Sequence, residues 1–151
     1  MVMCISIEIG RYQRYLDKIA FIQNRIKLAF QWINELSFKE LLRDEKSKLA
    51  IYKAFQEAIE AMLDVIAMIC KDLMIGARDD YTNINNLVAE AILEPDHGRV
   101  LREANGLRNK LIHWYNKLDD ETAMRSIMRL IPQLESITRV VLEWLKSQLK
   151  R

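Results

Sequence analysis

Apolar side chains recur along this chain at steps of three and four residues, the spacing that brings them to one side of an α-helix. The first long run predicts a helix from about Glu8 to Glu35. The predicted buried face of this helix consists of six residues: Tyr15, Ile19, Ile22, Ile26, Ala29 and Ile33. A helix with one apolar face needs a partner, so the pattern predicts helices packed against helices.

The next segments continue the helical pattern after short polar interruptions. Ser37 is a suitable N-cap for a short continuation, because its hydroxyl can accept from a backbone N–H of the first turn. A second long helix is predicted from about Ser47 to Ile75, with Gly76 as its C-cap. This helix is apolar over more than half of its circumference, so we expect it to be buried on two sides.

Three more helices are predicted in the second half of the chain. A short helix starts at Asn83 and ends before Pro95, and another runs from about Asp96 to Trp114. The segment "KLDDETA" provides a turn and a cap for the last helix, which reaches the end of the chain. Pro132 lies inside this helix and should kink it or split it in two, because proline lacks the backbone donor and its ring clashes with the preceding turn.

Composition agrees with an all-α fold. The 151 residues include only four Gly and two Pro, which argues against a turn-rich β protein. The length suggests one domain covering residues 1–151. We therefore expect an antiparallel bundle of four to five helices. Residues 1–9 carry alternating Ile5, Ile7 and Ile9, and they form either a short extended segment or a loose tail.

Charge and cysteine content exclude several kinds of protein. The net charge of +2 is too small to indicate nucleic-acid binding by overall electrostatics. Cys4 and Cys70 have no paired spacing, so we expect a reducing, cytoplasmic setting without a disulfide or zinc framework. No Cys/His cluster has the spacing of metal ligands, so neither a metal nor a cofactor is expected. No stretch is long and apolar enough to predict a membrane span.

The segment "LRNKLIHWYN", from Leu107 to Asn116, concentrates polar chemistry near the end of the fourth major helix. Arg108 and His113 are five residues apart, hence ~140° apart around a helix and ~7.5 Å apart along it. They do not share a face. Asn109 and His113 are four residues apart and do share one, so Asn109 could orient the imidazole by a hydrogen bond.

Histidine and arginine together supply much of what metal-free RNA cleavage requires. His113 can move a proton near neutral pH, and Arg108 can bind a phosphate and stabilise its transition state. A purely structural interpretation remains open, because a histidine near a helix C-terminus also interacts favourably with the helix dipole. The spacing alone does not separate these two interpretations.

Three acidic residues of the second long helix, Glu57, Glu60 and Asp64, share one narrow stripe at ~100° per residue. The stripe has two interpretations. It is either the solvated edge of the helix, or one of its carboxylates orients Arg108 across the bundle as a supporting group. The sequence leaves both open.

Arg108, His113 and Tyr115 have the spacing R-x4-H-x-Y, which resembles the motif of the HepT toxins within the HEPN superfamily. The asparagine after the arginine, here Asn109, also resembles the usual HEPN form. The flanking segments "LAIYKAFQEAIEAMLDVIAMICKD", "DYTNINNL" and "NGLRNKLIHWYNKLDDE" follow one another as in HepT-like proteins. The resemblance covers roughly Arg11 to Leu145 and leaves out the first nine residues.

The resemblance implies a HEPN-like helical homodimer whose motif cleft lies at the interface between protomers. It implies a metal-independent endoribonuclease in which Arg108 holds the scissile phosphate and His113 is the general acid/base. Asn109 would support this site. Attack by the ribose 2′-hydroxyl would leave a 2′,3′-cyclic phosphate and a 5′-hydroxyl end. RNA is therefore the expected substrate, and neither DNA nor a membrane is an expected partner.

The resemblance also gives Tyr115 a regulatory role. HepT toxins of type VII toxin–antitoxin systems are typically paired with MntA-type antitoxins, minimal nucleotidyltransferases that transfer AMP to the motif tyrosine. Tyr115 is thus the expected AMPylation site. The alternative is that this chain is a non-catalytic subunit that binds nucleotide or substrate for a separate nucleotidyltransferase.

Other residues near the motif have two interpretations each. Trp114 could stack on an RNA base, or it could be an interface or packing residue. Several basic residues could line an approach to the cleft, or simply belong to solvated helix faces. These are Arg78, Arg99, Arg102, Lys110 and Lys117.

Overall fold

The computed structural model describes residues 7–113 and 116–149. Within these ranges the chain forms six helices and no sheet, which confirms the all-α prediction. The helices are α1 (Ile9–Glu35), α2 (Phe38–Arg43), α3 (Glu45–Asp72), α4 (Asp80–Ala89), α5 (Pro95–His113) and α6 (Asp120–Gln148). The sixth helix is α2, the segment after Ser37 that was expected as a short continuation of the first helix.

Helix α3 is the centre of the core. Its most extensive packing is against α1, and it also contacts α4, α5 and α6. All six residues predicted for the inner face of α1 are buried, so the periodicity located this face correctly. The burial of α3 on more than one side agrees with its apolar circumference. No helix in the described part of the chain is long and apolar enough to cross a membrane.

Local hydrogen bonds explain where α2 and α3 begin. Ser37 caps α2 as predicted: its hydroxyl accepts from the backbone N–H of Glu40 at 3.2 Å and donates to the Glu40 carboxylate at 2.8 Å. Helix α3 starts at Glu45 rather than Ser47, because Asp44 is its N-cap and accepts from Ser47.

The end of α3 differs from the prediction. The helix ends at Asp72, three residues before the predicted Ile75. Met74 has φ +65°, in the left-handed region that ends a helix, and Gly76 has φ +90°. The backbone N–H groups of Ile75 and Gly76 both donate to the carbonyl of Cys70. Two left-handed residues, rather than Gly76 alone, therefore end the helix.

Helix α4 begins three residues earlier than predicted. Asp79 is its N-cap and accepts from Thr82. Asn83, the predicted start, is instead buried inside the helix. Its side-chain amide accepts from the backbone N–H of Arg78 at 2.7 Å and donates to the Arg78 carbonyl at 3.0 Å. Asn83 thus holds the loop before α4 instead of capping the helix.

The start of α6 agrees with the predicted turn and cap, and the structure decides one of the two effects expected of Pro132. Helix α6 begins after the N-cap Asp119, in the segment predicted as a turn and cap, and continues through Pro132 as one element. The predicted division into two helices is therefore wrong, and a kink stays a prediction. Trp114, the predicted end of α5, lies outside the described residues.

The start of the described chain is extended at Ile7, in agreement with one of the two interpretations of the N-terminal segment. Ile7 is buried and forms a parallel bridge with Leu149, and its N–H donates to the carbonyl of Gln148 at 3.4 Å. Ile9 already belongs to α1 and is exposed. Ile5 lies outside the described residues.

A polar anchor joins the start of α6 to α3. The Asp120 carboxylate accepts from Lys48 Nζ at 2.9 Å and from the Tyr52 hydroxyl at 2.6 Å. Burial raises the pKa of Asp120, but the hydrogen bonds from Tyr52 and Lys48 outweigh this effect and lower the pKa overall. The hydrogen bond to Asp120 raises the pKa of Lys48. The anchor fixes the beginning of α6 relative to the central helix.

We predict that Asp120→Ala lowers the free energy of unfolding by about 2 kcal/mol, because it leaves the buried Lys48 without its α6 partner. The loss should shrink as the pH falls below about 3.9, the ordinary Asp value. The lowered pKa means that the carboxylate contributes stability at neutral pH and loses it on protonation. Urea unfolding at several pH values measures this. Glu121→Ala, which removes only an exposed pair with Arg125, is the control, and equal losses would contradict the prediction.

Candidate functional site

Arg108 lies on α5 and is directed towards α3. Its Nη1 donates to Asn109 Oδ1 at 3.0 Å and to Asn105 Oδ1 at 3.4 Å. Its Nε lies 3.4 Å from Glu60 Oε1 on α3. The arginine side chain is 24% exposed and that of Glu60 is 38% exposed. Three acceptors on two helices therefore surround one partly exposed guanidinium.

Among the three acidic residues of the α3 stripe, Glu60 is the one paired with Arg108. Glu57 accepts from Arg25 of α1 at 3.1 Å, and Asp64 lies 3.6 Å from Lys18 of α1. The stripe is therefore not only a solvated edge. It links α3 to α1 at two positions and to α5 at the third.

The Nε group of Arg108 is buried and has no hydrogen-bond partner among the described residues. Its 3.4 Å separation from Glu60 is within ion-pair range, but the direction is not that of a hydrogen bond. A buried donor without a partner is costly, and arginine has a fixed fork of donors that suits phosphate oxygens. Arg108 is thus held in place by three neighbours while part of its side chain stays exposed to solvent.

Asn109 lies next to Arg108 rather than fixing His113. Its side-chain Oδ1 accepts a hydrogen bond from Arg108 Nη1. No hydrogen bond joins Asn109 to His113 in the described part of the chain, and orientation of the imidazole by Asn109 stays a prediction. Asn109 still belongs to the candidate site, because its side chain contacts Arg108.

Asn105 is a member of this cluster that the sequence interpretation missed. It is 2% exposed in the interior of α5, and its amide oxygen accepts from Arg108 Nη1. A buried amide within a helix normally has a hydrogen-bonding partner, and Asn105 is one helical turn before Arg108. That spacing is the signal that could have identified it.

His113 is the last residue of α5 and is exposed. The ~140° between positions five apart on a helix places it on a different side of α5 from Arg108, which faces α3. Within one chain, a partly buried guanidinium therefore lies on one side of α5 and a solvent-accessible imidazole lies on another side. Tyr115 and Trp114 lie outside the described residues.

Arg99 and Arg102 are basic residues considered near the motif that are engaged locally. Arg99 pairs with Asp96 on its own helix at 3.7 Å, and Arg102 donates to Asn85 at 3.0 Å. These contacts match the interpretation of solvated helix faces. In residues 7–113 and 116–149 no group of three His, Cys, Asp or Glu side chains could hold a metal ion. The chemistry available at the described site is that of Arg108, His113 and their amide and carboxylate neighbours.

Comparison with known proteins identifies the family. The model of the HepT-like ribonucleases, described as "Ribonuclease HepT-like", matches residues 13–141, a range that includes Arg108 and His113. The chain belongs to the HepT-like ribonuclease family. The resemblance found in the motif and its flanking segments is confirmed.

Relatives from one archaeon support the same assignment. A protein of Archaeoglobus fulgidus, named provisionally as an RNase, is 33% identical over 137 residues, which are 91% of this chain and 95% of that protein. A second protein of the same organism and the same provisional name is 30% identical over 117 residues, 78% of this chain and 82% of the relative. The HepT-like similarity thus extends over nearly the whole of the chain.

A solved structure shows that the fold is shared as well. The HEPN toxin of Shewanella oneidensis, described as tri-AMPylated and in complex with an MNT antitoxin, superposes with a TM-score of 0.78. The match covers 85% of this chain and 96% of that toxin at 20% identity. At this identity the likeness establishes the HEPN fold of the HepT-like chain.

Proposed function

We propose that this protein is a metal-independent endoribonuclease toxin that cleaves RNA by attack of the ribose 2′-hydroxyl. The observation that carries the proposal is Arg108, a partly exposed guanidinium held in place by Glu60, Asn105 and Asn109. It lies five residues before the exposed His113 in a chain of the HepT-like ribonuclease family. A phosphate-binding cation and an accessible proton carrier are the two groups that this reaction needs.

In the proposed reaction the 2′-oxygen attacks the adjacent phosphorus while a His113 imidazole takes the hydroxyl proton. The bond from phosphorus to the 5′-oxygen breaks, and that oxygen is protonated by an imidazolium. The products are a 2′,3′-cyclic phosphate and a 5′-hydroxyl end. Arg108 stabilises the negative charge that builds up on the phosphate oxygens, an effect that a preorganised cation supplies without reorganisation.

A homodimer is part of the proposal, because Arg108 and His113 leave α5 on different sides. A second copy of the chain placed against the end of α5 could bring an imidazole and a guanidinium from different protomers to one phosphate. Closed two-fold dimers are the commonest assemblies of identical chains, and they duplicate a composite site automatically. We therefore propose that the motif cleft lies at the interface of the dimer.

Glu60 acts in this proposal as a positioning residue. Its carboxylate approaches Arg108 from α3, a different helix, whereas Asn105 and Asn109 hold the guanidinium from α5 itself. A small displacement of a phosphate-binding cation is costly to the rate, because the transition state requires a fixed geometry. Glu57 and Asp64 bind cations of α1 instead, so the support proposed for Arg108 comes from Glu60.

Regulation of the enzyme is proposed to occur at Tyr115, two residues after His113. An MntA-type nucleotidyltransferase antitoxin would transfer AMP from ATP to the tyrosine hydroxyl and release pyrophosphate. The added phosphate is negatively charged, and the nucleotide is bulky, so both charge and size would keep RNA from the cleft. This toxin–antitoxin pair is proposed to act in the cytoplasm, where its RNA substrates are.

The first prediction from this proposal concerns His113. His113→Ala should abolish RNA cleavage in the presence of EDTA, with a loss of at least about a hundredfold, because general acid–base catalysis contributes on that scale. Gel analysis of labelled RNA measures it. His97→Ala is the matched control, since His97 is the chain's other histidine and its Nδ1 accepts from the backbone of Glu94. Cleavage by His113→Ala at the rate of the control would remove the assigned mechanism.

The second prediction concerns Glu60. Glu60→Gln should reduce kcat about tenfold or more with a smaller change in KM, because the amide keeps the size of the side chain but not the charge that holds Arg108. Glu60→Asp should recover part of the loss. Glu57→Gln, one helical turn away and paired with Arg25, should remain near wild type. Equal kinetics for Glu60→Gln and Glu57→Gln would show that the Arg108 contact is irrelevant to catalysis.

The third prediction concerns Tyr115. Incubation with an MntA-type antitoxin, ATP and magnesium should add AMP to the wild-type chain and stop cleavage. Tyr115→Phe should remain unmodified and active under the same conditions. Intact-mass spectrometry alongside the cleavage assay reports both results. Addition of AMP to Tyr115→Phe would place the modification on another residue.

A further inference from the structure

A groove of about 570 Å³ lies between α5 and α6, outside the cluster around Arg108. Its apolar surface comes from four residues: Leu107, Leu118, Ala123 and Leu130. Its polar rim includes Lys110 from α5 and Ser126 from α6. The groove therefore has apolar walls and charged or hydroxyl groups at its edge, a combination typical of small-ligand sites.

Gly106 keeps the α5 side of the groove open. A glycine in a helix interior costs stability relative to alanine, so a packing reason is normally expected. Gly98 has such a reason, because a Cβ there would lie 3.0 Å from Val88 Cγ2. A Cβ at Gly106 would meet nothing within 4 Å. The missing side chain at Gly106 enlarges the groove without relieving any contact of the fold.

The groove faces the same side of α5 as the predicted general acid/base. Gly106, Lys110 and His113 follow one another at steps of four and three residues, so they form one row along the helix. Lys110 is about 4.5 Å and Gly106 about 10.5 Å from His113 along the axis. Arg108 points to α3 instead. A chain of nucleotides at His113 could thus continue directly into the groove.

The charges at the rim favour an anionic partner. The carboxylate of Glu103 is paired with Arg129, and Asp119 accepts from the backbone N–H groups of Glu121 and Thr122 at the start of α6. Both acidic groups therefore already have hydrogen-bonding partners within the fold. Lys110 is exposed, and no ion pair is recorded for it in the described part of the chain. It is available to a phosphate close to His113.

We propose that the α5–α6 groove binds the base of an RNA nucleotide that flanks the scissile phosphate, with Lys110 contacting a neighbouring phosphate. This inference rests on the proposed ribonuclease function. Apolar walls can take the flat face of a base, and every base has such a face, so the subsite would add affinity at modest sequence selectivity. Because Gly106, Lys110 and His113 form one row along α5, the subsite lies beside the residue proposed to act on RNA. This position favours RNA over a protein as the occupant.

The test places a larger side chain on each wall of the groove, one on α5 and one on α6. Gly106→Leu and Ser126→Leu should each weaken binding of mixed-sequence, fully 2′-O-methylated oligoribonucleotides about tenfold, because loss of about 55 Å² of buried apolar surface has an effect on that scale. Such RNA lacks the free hydroxyl and cannot be cleaved, so the measured Kd reports binding alone. Ser136→Leu is the matched control, since Ser136 is an exposed residue of the same helix outside the groove, and it should bind as wild type.

The outcomes separate the groove from the catalytic proposal. Cleavage by wild type together with unchanged Kd values for Gly106→Leu and Ser126→Leu would overturn the proposal that the groove binds RNA. It would leave the proposed ribonuclease activity unaffected. Weaker binding by both variants beside a wild type that does not cleave would support the groove and overturn the ribonuclease. A changed oligomeric mass of these variants by light scattering, at unchanged RNA affinity, would assign the groove to a protein contact and overturn the proposal.

Discussion

The arrangement of the candidate site depends on the guanidinium of Arg108 being held between two helices. Glu60 approaches it from α3, and Asn105 and Asn109 approach it from α5. This geometry is only as stable as the relative position of α3 and α5, which the apolar core around α3 sets. The packing of the apolar central helix thus fixes the position of a partly exposed charged group at the edge of the protein.

Much of the fold followed from the sequence, because burial on a helix repeats with the helical period. The inner face of α1 was predicted residue by residue for this reason. Helix ends were less predictable, since they depend on single hydrogen bonds. Asn83 uses its amide on the backbone of Arg78 instead of capping α4, and Met74 adopts a left-handed conformation that glycine more commonly takes. Pro132 is accommodated inside one continuous α6.

The site was predictable to the extent that it lies on one helix. The spacing of Arg108 and His113, together with the resemblance of the flanking segments, identified the family and singled out both residues as candidates. The choice among three carboxylates on one stripe could not be made, because it depends on the register of α3 against α5, which no pattern within α3 encodes. The structure pairs Glu60 with Arg108. Asn105 was missed, because its spacing of one helical turn from Arg108 was the only signal and the sequence does not show that its side chain is buried.

The measurement that tests the central claim most directly is the chemistry of the RNA ends left by the unmodified wild-type protein in EDTA. Mass spectrometry of the fragments identifies both ends at once. Attack by the 2′-hydroxyl predicts a 2′,3′-cyclic phosphate on one fragment and a 5′-hydroxyl on the other. Fragments with 5′-phosphate and free 3′-hydroxyl ends, or no cleavage by protein of unmodified intact mass, would contradict the account.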